Sequence, residues 1–308
     1  MSSFPDIPDN PSKLDTYLAE RESTYKLKEG TEAKIIWHSQ DGPSQTEYAI
    51  VYLHGFRASH PEGDPVHRTI AEKFGYNLFL SRMQEHGIEA QYPLLDLTVE
   101  KLLQSARFAF EIGKRIGKKV IVMGTSTGGS LALWLASQPA FAKHISSLVL
   151  YSPLIRFHGI KEHLLTNAAT RSLLQLVPGK KYLIKTKGMT YAEERIWNRN
   201  YALQGALQLG SFIQKYMNDS LFRKVDLPTF IGYYYKNRKQ QDTVVSVSAI
   251  KKMAEILDSR TELAQTMNFT EAKSHVICSS LLSNAVSDVI DNTERFLKKL
   301  GSHTTREK

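Results

Sequence analysis

Cysteine is nearly missing: Cys278 is the only one in 308 residues. One thiol closes no disulfide within a chain, and no Cys/His group has the spacing of a zinc site. A scaffold held by disulfides or structural zinc is excluded, and a reducing, cytoplasmic setting fits. Long apolar runs are lacking as well. None approaches the ~18 residues that cross a bilayer, so no membrane helix is expected. The start, Met1-Ser2-Ser3-Phe4-Pro5-Asp6-Ile7-Pro8, has no basic stretch leading into an apolar one, so no secretory signal is expected. Charge of one sign is nowhere massed. Forty Lys and Arg against 31 Asp and Glu leave +9. The densest groups, Lys114/Arg115/Lys118/Lys119 and Lys236/Arg238/Lys239, are short and sit at the ends of predicted elements. No aromatic and basic module accompanies them, so they read as solvated surface rather than a nucleic-acid site.

What remains is ordinary globular material, 42% hydrophobic and 23% charged. That is too apolar for a disordered chain. At ~150 residues per domain the length predicts two domains, or one large α/β domain carrying an insertion. Short β-branched apolar runs recur at 33–38, 49–53, 78–80, 120–123, 148–151, 229–234 and 269–272. Several are apolar on both faces, as in strands of a parallel sheet covered on both sides. Helical patterns fall between them, at 65–74, 99–116, 131–137, 248–257 and 285–300. Alternation of this kind predicts a doubly wound, mostly parallel α/β sheet. It breaks once. Residues 154–227 carry no convincing strand, but large apolar residues at helical spacing, among them Leu164/Leu165, Leu173/Leu174, Ile196/Trp197/Tyr201 and Phe212/Ile213/Tyr216. The predicted organisation is an N-terminal extension (1–32, with one helix near 14–21), a core (33–153 and 228–300), a helical cap (154–227) and a tail (301–308).

The most informative stretch is Gly124-Thr125-Ser126-Thr127-Gly128-Gly129. It contains G-x-S-x-G, a weak signal alone. Its context strengthens it: a buried strand at 119–123 precedes it and a helix from Ser130 follows. A strand turning sharply into a helix strains the residue at the turn and projects its side chain outward, while flanking glycines remove colliding side chains. The helix N-terminus adds positive potential where an oxyanion would form. Neither the phosphate-binding G-x-x-x-x-G-K-[ST] pattern nor G-x-G-x-x-G fits the stretch. An inert serine in a glycine-rich turn is the bland alternative.

With this element the chain resembles the α/β-hydrolase superfamily, in its capped serine-esterase and monoglyceride-lipase-like branch. The resemblance covers the core but not the variable cap. It implies Ser126 as nucleophile. The strand ending in His54-Gly55-Phe56 matches the family's His-Gly-aromatic turn, which implies the N–H groups of Phe56 and Thr127 as oxyanion donors. His54 itself reads as a structural histidine. The family order of serine, acid, histidine selects among ten histidines. Of those after Ser126, His303 lies in the tail, His158 and His163 in the insertion, and His144 ahead of any acid loop. His275 follows the last predicted strand, and Ser274-His275-Val276-Ile277 resembles the family's Gly-His-x-x with serine for glycine. Asp242, followed by Thr243-Val244-Val245, occupies the acid position, reached by a longer loop than usual. Asp219 and Asp226 precede the strand and fit less well.

The resemblance thus implies a serine hydrolase of carboxylic esters, with Ser126, Asp242 and His275 catalytic and with no metal or organic cofactor. The implied partner is a small ester with an apolar acyl or alcohol part, without nucleic acid or integral membrane contact. Leu154, Ile155, Phe157, Tyr191, Trp197, Tyr201 and Phe212 of the insertion are candidates to line an acyl pocket or simply to pack. Hydrolysis of amides, thioesters or carbon–carbon bonds stays open, as does a non-catalytic small-ligand receptor on the same scaffold.

Overall fold

The computed structural model describes residues 7–159, 167–170, 183–261 and 263–304, the last four without their side chains. Its strands are, in chain order, β1 (Lys34–Ile36), β2 (Thr46–Leu53), β3 (Asn77–Leu80), β4 (Gly117–Thr125), β5 (Ile145–Tyr151), β6 (Leu183–Lys185), β7 (Asn200–Ala202), β8 (Thr229–Tyr233), β9 (Tyr235–Asn237), β10 (Gln240–Gln241) and β11 (Ala264–Asn268). The helices are α1 (Leu14–Ser23), α2 (Val66–Phe74), α3 (Val99–Ile116), α4 (Thr127–Ala136), α5 (Pro139–Ala142), α6 (Tyr191–Ile196), α7 (Leu203–Tyr216), α8 (Asp219–Phe222), α9 (Val247–Asp258) and α10 (Val286–Thr304).

Seven strands form one sheet in the order β1-β3-β2-β4-β5-β8-β11. All neighbours are parallel except β1, which runs antiparallel to β3. The two-residue period of each strand divides its apolar residues between two cores. Ala49, Val51 and Leu53 of β2, with Val120 and Val122 of β4, face the core built by α1, α3, α4 and α9. Ile50, Tyr52, Ile121 and Met123 face the opposite core, built by α2 and α10. Both faces are therefore dry, which is why these strands read as unbroken apolar runs. Thr98 caps α3 by accepting from the Lys101 N–H at 3.1 Å. Gly113 lets α3 lie close on β2, since a Cβ there would stand 2.4 Å from Val51.

Two expectations need correction. The strand expected at 269–272 lies earlier, at 264–268, as a half-exposed edge paired, among the described residues, only with β8. Its polar Ala-Gln-Thr-Met-Asn sequence hides it, while the apolar signal came from Phe269 and Ala272, which are buried in the turn beyond. The insertion is not purely helical: β6 and β7 pair antiparallel, in segments of three residues that are too short to leave a pattern. The N-terminal segment carries its expected helix as α1 and packs onto the core. Leu14 and Leu18 are buried in the main core, and Glu22 pairs with Arg82 in the interior while accepting the Ala33 N–H. His163, Leu164, Leu165, Leu173 and Leu174 lie outside the described residues.

Candidate active site

The loops at the carboxyl ends of β2, β4, β8 and β11 meet over one edge of the sheet, where parallel strands place their ligand sites. The β4–α4 turn comes first. Ser126 sits between strand and helix at φ 54°, ψ −116°, a left-handed conformation that a non-glycine residue adopts only under constraint. The constraint is visible. The Ser126 N–H donates to the Tyr151 carbonyl at 2.9 Å, and its own carbonyl accepts from Ser130 and Leu154. The glycines are steric necessities. A Cβ on Gly128 would stand 1.9 Å from the Leu53 carbonyl oxygen, and one on Gly124 would stand 2.5 Å from the Gly128 backbone. Helix α4 can thus press its first turn against the ends of β2 and β4 only without those side chains.

The β2 turn is held just as firmly. His54 is fully buried; its Nε2 accepts the Met83 N–H at 3.1 Å, which leaves the proton on Nδ1 to donate to the Gly55 carbonyl at 2.9 Å. Burial, then His86 nearby, pushes its pKa well below the ordinary value, so the ring is neutral and structural, as expected from the sequence. The Gly55 carbonyl also accepts from Ala58 at 3.3 Å. In a trans peptide the N–H points opposite the C=O. Anchoring the Gly55 carbonyl on one side therefore directs the Phe56 N–H the other way, and among the described residues that N–H has no protein acceptor. Thr127 opens α4, so its N–H has no carbonyl one turn back.

Asp242 returns the chain to the sheet after the β9–β10 hairpin, which is the extra loop length noticed in the sequence. Its N–H donates to the Tyr234 carbonyl at 3.1 Å, one residue past the end of β8. The side chain is buried. Oδ1 accepts the N–H groups of Val244 (2.8 Å) and Val245 (3.0 Å), and Oδ2 lies 2.7 Å from His275 Nδ1. Burial works to raise the Asp242 pKa, but the His275 charge and hydrogen bond, with the two amides, outweigh it and hold the carboxyl below its usual range. For His275, burial works against the charged ring; Asp242 outweighs it, Glu62 adds to this, and the pKa ends above the ordinary value.

Ser126, His275, Phe56 and Thr127 share the wall of one cavity of about 410 Å³. Of the insertion residues expected there, Leu154, Phe157, Trp197 and Tyr201 line it. Ile155 and Phe212 pack into the core instead, and Tyr191 stands 82% exposed. The rival acids are engaged elsewhere, Asp219 with Lys252 and Asp226 with Arg260. Neither His144 nor His158 lines the cavity. Among the described residues no group of His, Cys, Asp and Glu is arranged to hold a metal, and no helix is long and apolar enough to cross a membrane.

No protein-family model and no curated protein matches the chain. Solved structures do. One reported for the metagenome-derived lipolytic enzymes LipS and LipT superposes with a TM-score of 0.65 at 16% identity, covering 89% of this chain and 100% of its own. The monoacylglycerol lipase of Paleococcus ferrophilus gives 0.63 at 12% identity, over 87% of this chain and 98% of its own. A soluble variant of monoglyceride lipase from Saccharomyces cerevisiae, solved with a substrate analogue, gives 0.57 at 18%, over 90% and 94%. The chain has the α/β-hydrolase fold.

Within this α/β-hydrolase fold the cavity holds polar residues that the sequence alone does not single out. Glu62 and Arg57 both line it. Glu62 is 1% exposed, and burial pushes its carboxyl up to about 7 against the pull of the Gly55 N–H and His275. Arg57 adopts φ 58° and donates to the Asn198 carbonyl of the insertion at 2.8 Å. The one sequence sign of Glu62 is its place just before Gly63, whose Cβ would collide with Tyr52 and His67 at 2.4–2.8 Å. A close-packed turn after the β2 loop leaves no periodic trace.

Proposed function

We propose that the protein is a serine hydrolase that cleaves carboxylic esters through an acyl-enzyme intermediate, with Ser126 as nucleophile, His275 as base and Asp242 as the acid that orients it. The observation carrying this reading is the 2.7 Å hydrogen bond from His275 Nδ1 to Asp242, on a ring that lines the same cavity as the strained Ser126. With Nδ1–H donated to the carboxylate, the unprotonated nitrogen is Nε2, the one available as base.

The chemistry follows in two halves. His275 Nε2 takes the proton of the Ser126 hydroxyl as Oγ bonds to the ester carbonyl carbon. The carbonyl electron pair moves to oxygen, which the N–H groups of Phe56 and Thr127 receive. The intermediate collapses, the alcohol leaves with the proton from Nε2, and Ser126 keeps the acyl group. Water repeats the sequence: Nε2 takes its proton, hydroxide adds to the acyl carbon, and Ser126 departs reprotonated. Asp242 stays ionised and stabilises the imidazolium.

Leu154, Phe157, Trp197, Tyr201, Leu209 and Val276 make the cavity wall largely apolar, which suits an acyl or alcohol part of small to medium size. The lone cysteine supports a reducing, cytoplasmic setting for this activity. Ser126→Ala tests the reading. It is expected to abolish hydrolysis of p-nitrophenyl acyl esters and labelling by a fluorophosphonate, with the melting temperature unchanged. Undiminished turnover in that variant ends the assignment. Strong wild-type labelling without ester turnover, in a panel with anilides and thioesters, redirects it to another acyl bond.

A further inference from the structure

Glu62 is a buried carboxylate that the proposed reaction does not use, and three parts of the molecule converge on it. Its Oε1 accepts the Gly55 N–H from the oxyanion loop and, at 3.5 Å, the Tyr52 hydroxyl from β2. Its Oε2 accepts Trp197 Nε1 from the insertion at 3.2 Å. The Tyr52 hydroxyl is 2.8 Å from Thr125 Oγ1, the neighbour of the proposed nucleophile. The Cys278 thiol, three residues past His275, reaches the Glu62 carbonyl at 3.7 Å. Gly55 is wedged between this carboxylate and the nucleophile, for a Cβ on it would meet Glu62 Oε1 at 3.2 Å and Ser126 Cβ at 3.3 Å. A carboxylate is costly to bury unless its hydrogen bonds are met, and here they are met by the very elements that shape the site.

We propose that Glu62 is the positioning residue of the oxyanion loop, clamping the Gly55 N–H and the insertion's Trp197 on one carboxylate so that the Phe56 N–H stays aimed into the cavity. The proposal rests on the serine-hydrolase reading for its consequence, though not for its geometry. The Gly55 residue is gripped at both ends, its N–H by Glu62 and its C=O by His54 and Ala58. Both of its backbone dihedrals are thereby set, and the Phe56 N–H follows from them. Glycine needs such a grip because its backbone is otherwise the freest of any residue. The insertion shares in it. Asn198 and Arg57 exchange reciprocal hydrogen bonds, both at 2.8 Å, and Ser59 Oγ donates to the Ile196 carbonyl at 2.9 Å. Residues 196–198 are thus a fixed strut on the oxyanion loop, and Trp197 brings the strut to the same carboxylate that holds Gly55.

Two measurements test this on the intact chain. Amide hydrogen exchange reads the Gly55 N–H directly, and steady-state hydrolysis of p-nitrophenyl butyrate reads its consequence. In Glu62→Ala the Gly55 amide is expected to exchange at least ~10-fold faster while the β2 amides keep their protection. A misaligned oxyanion donor costs ~10²–10³ in rate, so kcat is expected to fall by a large part of that range with KM within ~3-fold. The double variant E62Q/W197F restores an acceptor for Gly55 and removes the indole donor that would face the new amide nitrogen. Its Gly55 protection and its kcat are expected to match W197F alone. It also carries the test if E62A does not fold. Unchanged Gly55 exchange in E62A overturns the proposal, as does an E62Q/W197F protein as impaired as E62A/W197F. If the wild-type protein hydrolyses no ester, the serine-hydrolase reading fails, and the exchange measurement still decides whether Glu62 holds the loop.

Discussion

Replacing Asp242 by asparagine changes one heavy atom and isolates its proposed role as the orienting acid. In the wild type, Oδ1 receives two backbone N–H groups, from Val244 at 2.8 Å and Val245 at 3.0 Å, and Oδ2 faces His275 Nδ1 at 2.7 Å. An asparagine with its NH₂ at the Oδ1 position sets it against two amide donors, each costing about 1–3 kcal/mol as an unpaired buried group. With the NH₂ at Oδ2 there is a single conflict, and the ring can relieve it by moving its proton. Asparagine therefore presents its NH₂ to His275, Nδ1 becomes an acceptor, and the proton passes to Nε2. The nitrogen meant to take the Ser126 proton is then already protonated. Loss of the orienting carboxylate in a triad of this kind lowers kcat by about 10⁴, equivalent to ~5 kcal/mol of barrier. The assay is kcat/KM for p-nitrophenyl butyrate in D242N and wild type, with circular dichroism and thermal melts to confirm the fold. A folded D242N protein within tenfold of wild type refutes the tautomer argument and the assignment of Asp242 with it.

Two further outcomes follow from the geometry. In Gly128→Ala the new Cβ would start 1.9 Å from the Leu53 carbonyl oxygen, so α4 and the end of β2 must part by about 1 Å, a displacement worth ~10²-fold in rate; overpacking adds ~1–3 kcal/mol of destabilisation. Normal activity with an unchanged melting temperature in G128A contradicts this packing. The pH profile follows from His275, whose neutral form is the proposed base and whose pKa lies above the ordinary 6.5. The acid limb of kcat/KM is therefore expected above pH 6.5, with activity rising as the ring loses its proton. Asp242 and Glu62 both hold that proton on and Arg57 works against it, so E62Q is expected to move the limb to lower pH. A limb that stays in place in E62Q shows that the Glu62 charge does not reach the ring.

The core strands were legible because burial on both faces leaves continuous apolar runs; β2, β4, β5 and β8 fall where those runs are. Helix α3 was legible because its apolar residues recur at helical spacing over 99–116, and the structure adds the Thr98 cap at its start. Edge strands were not. β11 is paired on one side and half exposed, and its residues do not differ from those of a loop. The three-residue strands β6 and β7 are shorter than any period that could reveal them.

The chemistry divides in the same way. Ser126 could be picked out from sequence because the glycines that its turn demands are adjacent to it, and local sterics write themselves into local sequence. Asp242 and His275 are candidates by order and resemblance, yet nothing in the chain says that a hairpin is thrown out so that Asp242 returns beside Tyr234 and meets a ring 33 residues away at 2.7 Å. Glu62 was invisible. Its meaning is the meeting of a glycine amide, an indole from the insertion and a core tyrosine in one dry place. A residue's neighbours along the chain carry its conformation, but the low dielectric and the unpaired donors that give a buried carboxylate its work exist only once distant segments have closed around it.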